Sequence, residues 1–291
     1  MKLLFILITM ILTLACNQSI IKIDGRKLTT SEELQAMIQK GEAVFIKDAV
    51  FEEDINFDQI GRHHITGKGN AITEIPVAIV FENCVFKGKI TGHQNLADGV
   101  SLRTRFLGSL SFEGCLFEKS VDLNGAIFSA PNFWRKNLFR KNLNITGSIF
   151  EHHFSISENI IDGEFRSNQV RFRGGVDFFG SEFNGITFFQ GSIFYEDALF
   201  LNTTFRDNLD FTLSRVLGGL YFNYSTIKGR SFFNGSNWGG RVEFNSANFQ
   251  NSVEFKRVQF SQQPEFNKTL FNNSPDIQES TILTKIQFNF S

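Results

Sequence analysis

The stretch VDFFGSEFNGITFFQGSIF, residues 176–194, decides the fold: Phe178, Phe183, Phe189 and Phe194 stand in it at steps of five, six and five. A helix repeats its apolar face about every 3.6 residues and a strand about every second residue, so neither rhythm gives this spacing. Carried outward, the pattern holds. Cut every eleven residues from Phe112, the chain stacks without insertion or deletion into sixteen lines, among them FFGSEFNGITF, FQGSIFYEDAL and FLNTTFRDNLD. One apolar track runs through Phe106, Phe117, Phe128, Phe139, Phe150, Ile161, Phe172 and on to Phe271 with no polar member. A second runs from Phe112 to Phe266 with Ser167 as its single polar exception.

Two residues before the first track most lines carry a small side chain: Cys115, Ala126, Ser148, Ser181, Ser192, Ser214. Two before the second they commonly carry Val or Leu, as at Val121, Leu143, Val176 and Leu209. Each half-line therefore has one large and one smaller inward residue, separated by a residue that must point outward. Among 291 residues there are 36 Phe but only 3 Tyr, 2 Trp and 4 Pro, so Phe is selected for its shape.

A short period held this long marks a solenoid, in which each unit buries its apolar face only against its neighbours. A transmembrane barrel would alternate with period two in blocks separated by turns, and no such blocks are present. Calcium-binding β-rolls need glycine-rich nonapeptides and leucine-rich repeats need longer units, both absent.

With a small residue at one position and Leu or Phe two later, in pairs carrying one extra residue as in SIFYEDALFLNTTF, the chain resembles the pentapeptide-repeat proteins over about residues 79–290. The resemblance implies an all-β fold: a right-handed parallel β-helix of square section, each pentapeptide forming one side and two lines making a coil of about 22 residues. At the interstrand spacing of about 4.8 Å, eight coils make a rod on the order of 40 Å long.

The N-terminus, MKLLFILITMILTLACNQS, has one Lys, an apolar run from Leu3 to Leu14, then Ala15 and Cys16. Such a run is too short for a membrane-spanning helix and suits a secretory signal. Its end, LTLAC, resembles the lipobox of bacterial lipoproteins, which implies lipid attachment at Cys16 and a membrane anchor; Asn17 favours the outer membrane. A plain secretory signal with a chance Cys is the alternative. The other cysteines, in VFENCVF and SFEGCLF, occupy the small-residue column, so Cys84 and Cys115 are expected as free, buried thiols.

Upstream, LTTSEELQAMIQKG predicts a short helix with Thr30 as N-cap, Glu33 closing a capping box, Leu34, Met37 and Ile38 on one face and Gly41 as the stop. It suits a lid over the solenoid end, an exposed strand edge that otherwise invites polymerisation. AVFIKDAVFEEDINF reads as irregular first strands, and GKITGHQNLADGVSLRTRF as a nine-residue excursion before the register resumes at Phe106. The division is a signal peptide over 1–15, a tether or added strand over 16–29, a cap over 30–78 and the β-helix over 79–291.

Chemistry is sparse. His63 and His64, like His152 and His153, are adjacent and so point to opposite faces, and no metal ligand set is expected. Glu243, Glu254, Glu265 and Asp276 share one repeat position and read as edge charges. Arg166, Arg171 and Arg173 form the densest basic spot, beside enough acid to balance it. No nucleophile triad, nucleotide loop or cofactor motif can be assembled, and loops that would build a cleft are nearly absent after residue 106. The net charge of −1 argues against a nucleic-acid groove, and with export it argues against the DNA mimicry known among pentapeptide proteins.

Two function classes remain. The first is a non-catalytic, envelope-anchored scaffold or binding protein with a protein or glycan partner, or a second copy of itself. The second is a carbohydrate-active β-helix enzyme. The candidate binding face comes from the position just before the first track, which must face outward yet holds Leu116, Ile127, Leu138, Ile149 and Ile160 in five consecutive lines. At about 22 residues per coil, Leu116, Leu138 and Ile160 form one column and Ile127 and Ile149 another on the opposite side.

Overall fold

The computed structural model describes residues 20–23, 28–67, 70–95 and 101–282. The chain winds into a parallel β-solenoid of about 8 turns with ~22 residues per coil. Four sheets of 10, 12, 10 and 9 strands form its sides. We call them face A (Phe154–Ser155, Val176–Asp177, Ala198–Leu199, Leu220–Tyr221), face B (Leu116–Phe117, Leu138–Phe139, Ile160–Ile161), face C (Val121–Asp122, Leu143–Asn144) and face D (Ile127–Phe128, Ile149–Phe150, Arg171–Phe172). Most strands are two residues long because the inward tracks demand a turn every five or six residues. Backbone bonds between coils hold them in register, as where Leu138 N–H donates to Cys115 O at 2.9 Å and Arg140 N–H to Phe117 O at 2.9 Å.

Inside, the tracks stack ring on ring. Phe117 and Phe139 lie 4.4 Å apart and 1° from parallel; Phe178, Phe200 and Phe222 follow one another at 4.6 Å. Between stacks the rings meet edge to face, as Phe178 meets Phe189 at 5.3 Å and 85°. Such pairs add about 0.5–1.5 kcal/mol each beyond area burial, which is why Phe, flat and without a polar handle, dominates the chain. At Ser167, the polar member of the second track, the slot two residues earlier holds Phe165 in place of Val or Leu. The buried Phe165 ring approaches Phe178, Phe183 and Phe189 at 6.1, 5.2 and 5.6 Å, so large and small have exchanged places within one half-line.

The small-residue column does more than save space. Its side chains hydrogen-bond backbone groups buried at the corners: Ser148 Oγ donates to Leu123 O at 2.9 Å, and Ser236 Oγ to Phe211 O at 2.7 Å. Asn137 and Asn159 occupy the same column and are buried in it. Asn159 Oδ1 accepts from Asn137 N–H at 2.8 Å while its Nδ2 donates to Trp134 O at 2.7 Å; Asn137 Oδ1 accepts from Cys115 N–H at 2.9 Å. Cys84 and Cys115 sit in the same column, free and buried as expected, and burial pushes the Cys115 thiol well up.

Every line also places one residue in the left-handed region at a corner, a feature the apolar tracks do not announce. Gly180 at φ 63° is suited to it; Tyr224 at 60° and Leu213 at 59° are not, since a bulky side chain there costs energy.

The irregular first strands form a further turn of the same ladder. Val50 pairs with Val85 and Val85 with Leu116 before the regular pairing of Leu116 with Leu138 begins. The extra residues of these early turns make hairpins. Arg62–Gly67 runs antiparallel to Asn70–Ile75, which lies parallel to Ser101–Phe106, and His93–Asn95 returns antiparallel to the latter. The excursion before Phe106 is thus a strand pair that widens face D. The Ser31–Gln39 helix carries the expected capping box, with Thr30 Oγ1 accepting from Glu33 N–H at 3.1 Å, and buries Leu34, Met37 and Ile38 in the first-turn core. Ile20–Ile23 adds a parallel strand to Ala43–Lys47. Cys16 and the apolar run before it lie outside the described residues.

Candidate functional site

The candidate face follows from the ladder. On face B the outward position is Val50, Val85, Leu116, Leu138 and Ile160 in five successive paired strands, ending at Glu182. Leu116 and Leu138 are half-buried because branched neighbours one coil away shield them, and Ile160, at the end of the run, is 41% exposed. Two residues further along each coil the side chains carry alternating charge: Lys87 pairs with Glu52 at 2.7 Å and Arg140 with Asp162 at 3.0 Å, with Glu118 between. Hydrogen bonding from Asn184 and the Arg140 guanidinium hold the Asp162 carboxyl below its usual range. The result is a flat aliphatic stripe about 20 Å long with a charged edge. On the opposite face Ile127 and Ile149 are bracketed in register by Arg105 and Arg171, so that column is shorter.

The remaining candidates separate in space. His63 Nδ1 lies 2.9 Å from Thr73 Oγ1 while His64 Nε2 meets Glu74 at 3.4 Å. Arg166 is on face C beside Glu164 at 2.6 Å, Arg171 is on face D, and Arg173 reaches Glu151 at 3.8 Å. The three arginines therefore form no single basic spot, because residues five to seven apart fall on different sides of the coil. Glu243 pairs in register with Glu265 and Glu254 with Asp276; Arg241 joins the first pair at 2.7 Å to each carboxylate, and Lys256 the second at 3.5 and 3.1 Å. Among the described residues no group of three His, Cys, Asp or Glu is placed to hold a metal, and no helix is long and apolar enough to cross a membrane.

Face A holds what the sequence reading missed. All 3 tyrosines of the chain, Tyr195, Tyr221 and Tyr224, lie on this face or its two corners within two coils. Phe179 and Leu217 are exposed beside them. At the corner between faces D and A an open depression of ≈ 560 Å³ is lined by His153, Tyr195, Glu196, Asp197, Leu199 and Gly218, among others. The eleven-residue frame hides this grouping, since Tyr195, Tyr221 and Tyr224 occupy three different columns of it. Only folding the lines into four-sided coils brings them together.

Compared with known protein families, curated proteins and solved structures, the chain matches none.

Proposed function

We propose that the chain is an exported pentapeptide-repeat lipoprotein, anchored to the bacterial outer membrane through Cys16, whose rod is a non-catalytic scaffold presenting face B to a protein partner. The observation that carries this reading is the unbroken column Val50, Val85, Leu116, Leu138 and Ile160, held flat by the ladder and edged by paired charges. A rigid sheet with an aliphatic centre and a polar rim is the composition of a docking surface, and rigidity spares the ordering cost that binding otherwise incurs. A second copy of the chain is the first partner to test: the alternating-sign edge is complementary to itself. The anchor accounts for the apolar run ending in LTLAC; changing Cys16→Ser is expected to release the mature chain from the outer-membrane fraction, and an unchanged distribution contradicts it. The docking claim is tested by Leu138→Lys, which should abolish self-association in analytical ultracentrifugation, or crosslinking in the native envelope, with folding intact. The competing reading, a carbohydrate-active enzyme, is favoured only by the depression on face A and predicts product release that ends when its carboxylates are changed.

A further inference from the structure

Along the rod, outward carboxylates are commonly joined to a cation on the next coil, as Glu113 is to Arg135, Glu151 to Arg173 and Asp162 to Arg140. Others, such as Glu118, Asp122 and Asp210, form no ion pair among the described residues, and the D–A corner is set apart by bringing three such carboxylates together. Glu196 and Asp197 lie between Gly174 and Gly175 on one coil and Gly218 and Gly219 on the other, so none of the four residues 22 positions before or after them carries a side chain. Among the described residues neither forms an ion pair, nor does Asp177, the register partner of Leu199 on the adjoining strand. Each has one oxygen fixed by the backbone: Glu196 Oε2 by Gly175 N–H at 3.0 Å, Asp197 Oδ1 by Gly219 N–H at 2.7 Å, Asp177 Oδ1 by Phe179 N–H at 2.9 Å. The carboxylates are thus each oriented through one oxygen; Glu196 and Asp197 are exposed and Asp177 is half-buried.

Aromatic rings border the same place. Tyr195 is 41% exposed on the depression wall. Tyr221 lies across Gly219, where an added Cβ would come within 2.4 Å of its ring and hydroxyl, so this glycine admits the ring to the corner. Tyr224 and Phe179 are exposed at the far corner of face A, two coils apart. Aromatic faces suit the C–H face of a pyranose ring, and oriented carboxylate oxygens suit its hydroxyls, which donate hydrogen bonds. A peptide would demand an enclosed apolar pocket or an open strand edge, and this corner offers neither.

We propose that the D–A corner is a saccharide-binding site, in which Tyr195 stacks on a sugar ring and the remaining oxygens of the exposed Glu196 and Asp197, with Asp177 beside them, accept its hydroxyls. The site is independent of the face B stripe. Its shallow form fits an extended chain running along the coils rather than a single enclosed sugar.

The test is calorimetric titration of the mature protein with a neutral β-linked hexasaccharide, cellohexaose, and with a cationic one, the glucosamine hexamer. The neutral hexamer should bind; Tyr195→Ala should weaken it about two- to tenfold and Asp197→Asn, which keeps an acceptor for Gly219, about tenfold or more. Gly219→Ala should weaken it by displacing Tyr221 without removing any polar group. All three should unfold at the wild-type denaturation midpoint, so that the loss of binding is read at the corner and not through the fold. Leu138→Lys, on face B, should leave binding unchanged. Binding of the cationic hexamer alone, abolished by salt and indifferent to Tyr195→Ala, would overturn the proposal in favour of a simple cation site, and binding of neither hexamer would overturn it outright. Shorter products from either hexamer would leave the site standing and instead overturn the non-catalytic reading of the rod.

Discussion

The inside and the outside of this rod obey different rules. Inward, the sixteen lines keep apolar or small residues at four positions, with the buried Asn132, Asn137 and Asn159 as polar exceptions, because each side chain packs on those of the coils above and below. Outward, the same lines carry Leu, Arg, Glu, Thr or Asn at one position, as at Leu138, Arg171, Glu182, Thr204 and Asn248. A constraint imposed by neighbours on both sides produces a period; a surface that touches only water does not. The face B stripe and the tyrosines of face A depart from that randomness, and the two proposed contact surfaces rest on them.

The largest expected effect lies inside. Phe205→Ala should cost about 3–5 kcal/mol by chemical denaturation, whereas Asp207→Ala, two residues on and exposed, should cost under about 0.5 kcal/mol. Equal costs would mean that the inner and outer assignments are wrong. Next comes the hydrogen-bonded column. Asn159→Ala leaves Asn137 N–H and Trp134 C=O buried without their partner, and should cost about 2–4 kcal/mol although no aromatic contact is lost. A cost below about 1 kcal/mol would return the column to a role of volume alone.

The smallest effect is outward and depends on pH. Burial pushes the Asp177 carboxyl up from its usual value, with the Phe179 N–H and His153 opposing it. The folded state then holds this proton more tightly than the unfolded state, so the group's contribution favours folding in acid and is lost as pH rises through the folded pKa. Asp177→Asn should therefore raise the unfolding midpoint at neutral pH, with the gain fading below the ordinary carboxylate range. A gain that is constant across pH would show that burial of the charge is not its source.

The fold was legible because its determinant is one-dimensional: Phe178, Phe183, Phe189 and Phe194 carry the turn spacing, and the column of Cys115 and Ser148 carries the corners. The helix cap was equally legible, since Thr30 and Glu33 bond to each other's backbone with no help from distant residues. The role of Asn137 and Asn159 could not be read from the repeat, because their partners sit 22 and 25 residues away, one coil off. The columns of the candidate face could be read from the repeat, as register partners Leu116, Leu138 and Ile160 show. The face A corner could not: it depends on which columns become neighbours when two lines close into four sides. It depends as well on the absence of side chains at Gly175, Gly218 and Gly219, which no apolar pattern marks.

Leu138 and Phe139 are consecutive residues with opposite assignments, and Leu138 tests the account most directly. Sedimentation velocity of Leu138→Lys should show the loss of an association present in the unchanged protein, while the denaturation midpoint stays where it was. A variant that unfolds, or that associates as before, would contradict the claim that this side of the rod is a docking surface.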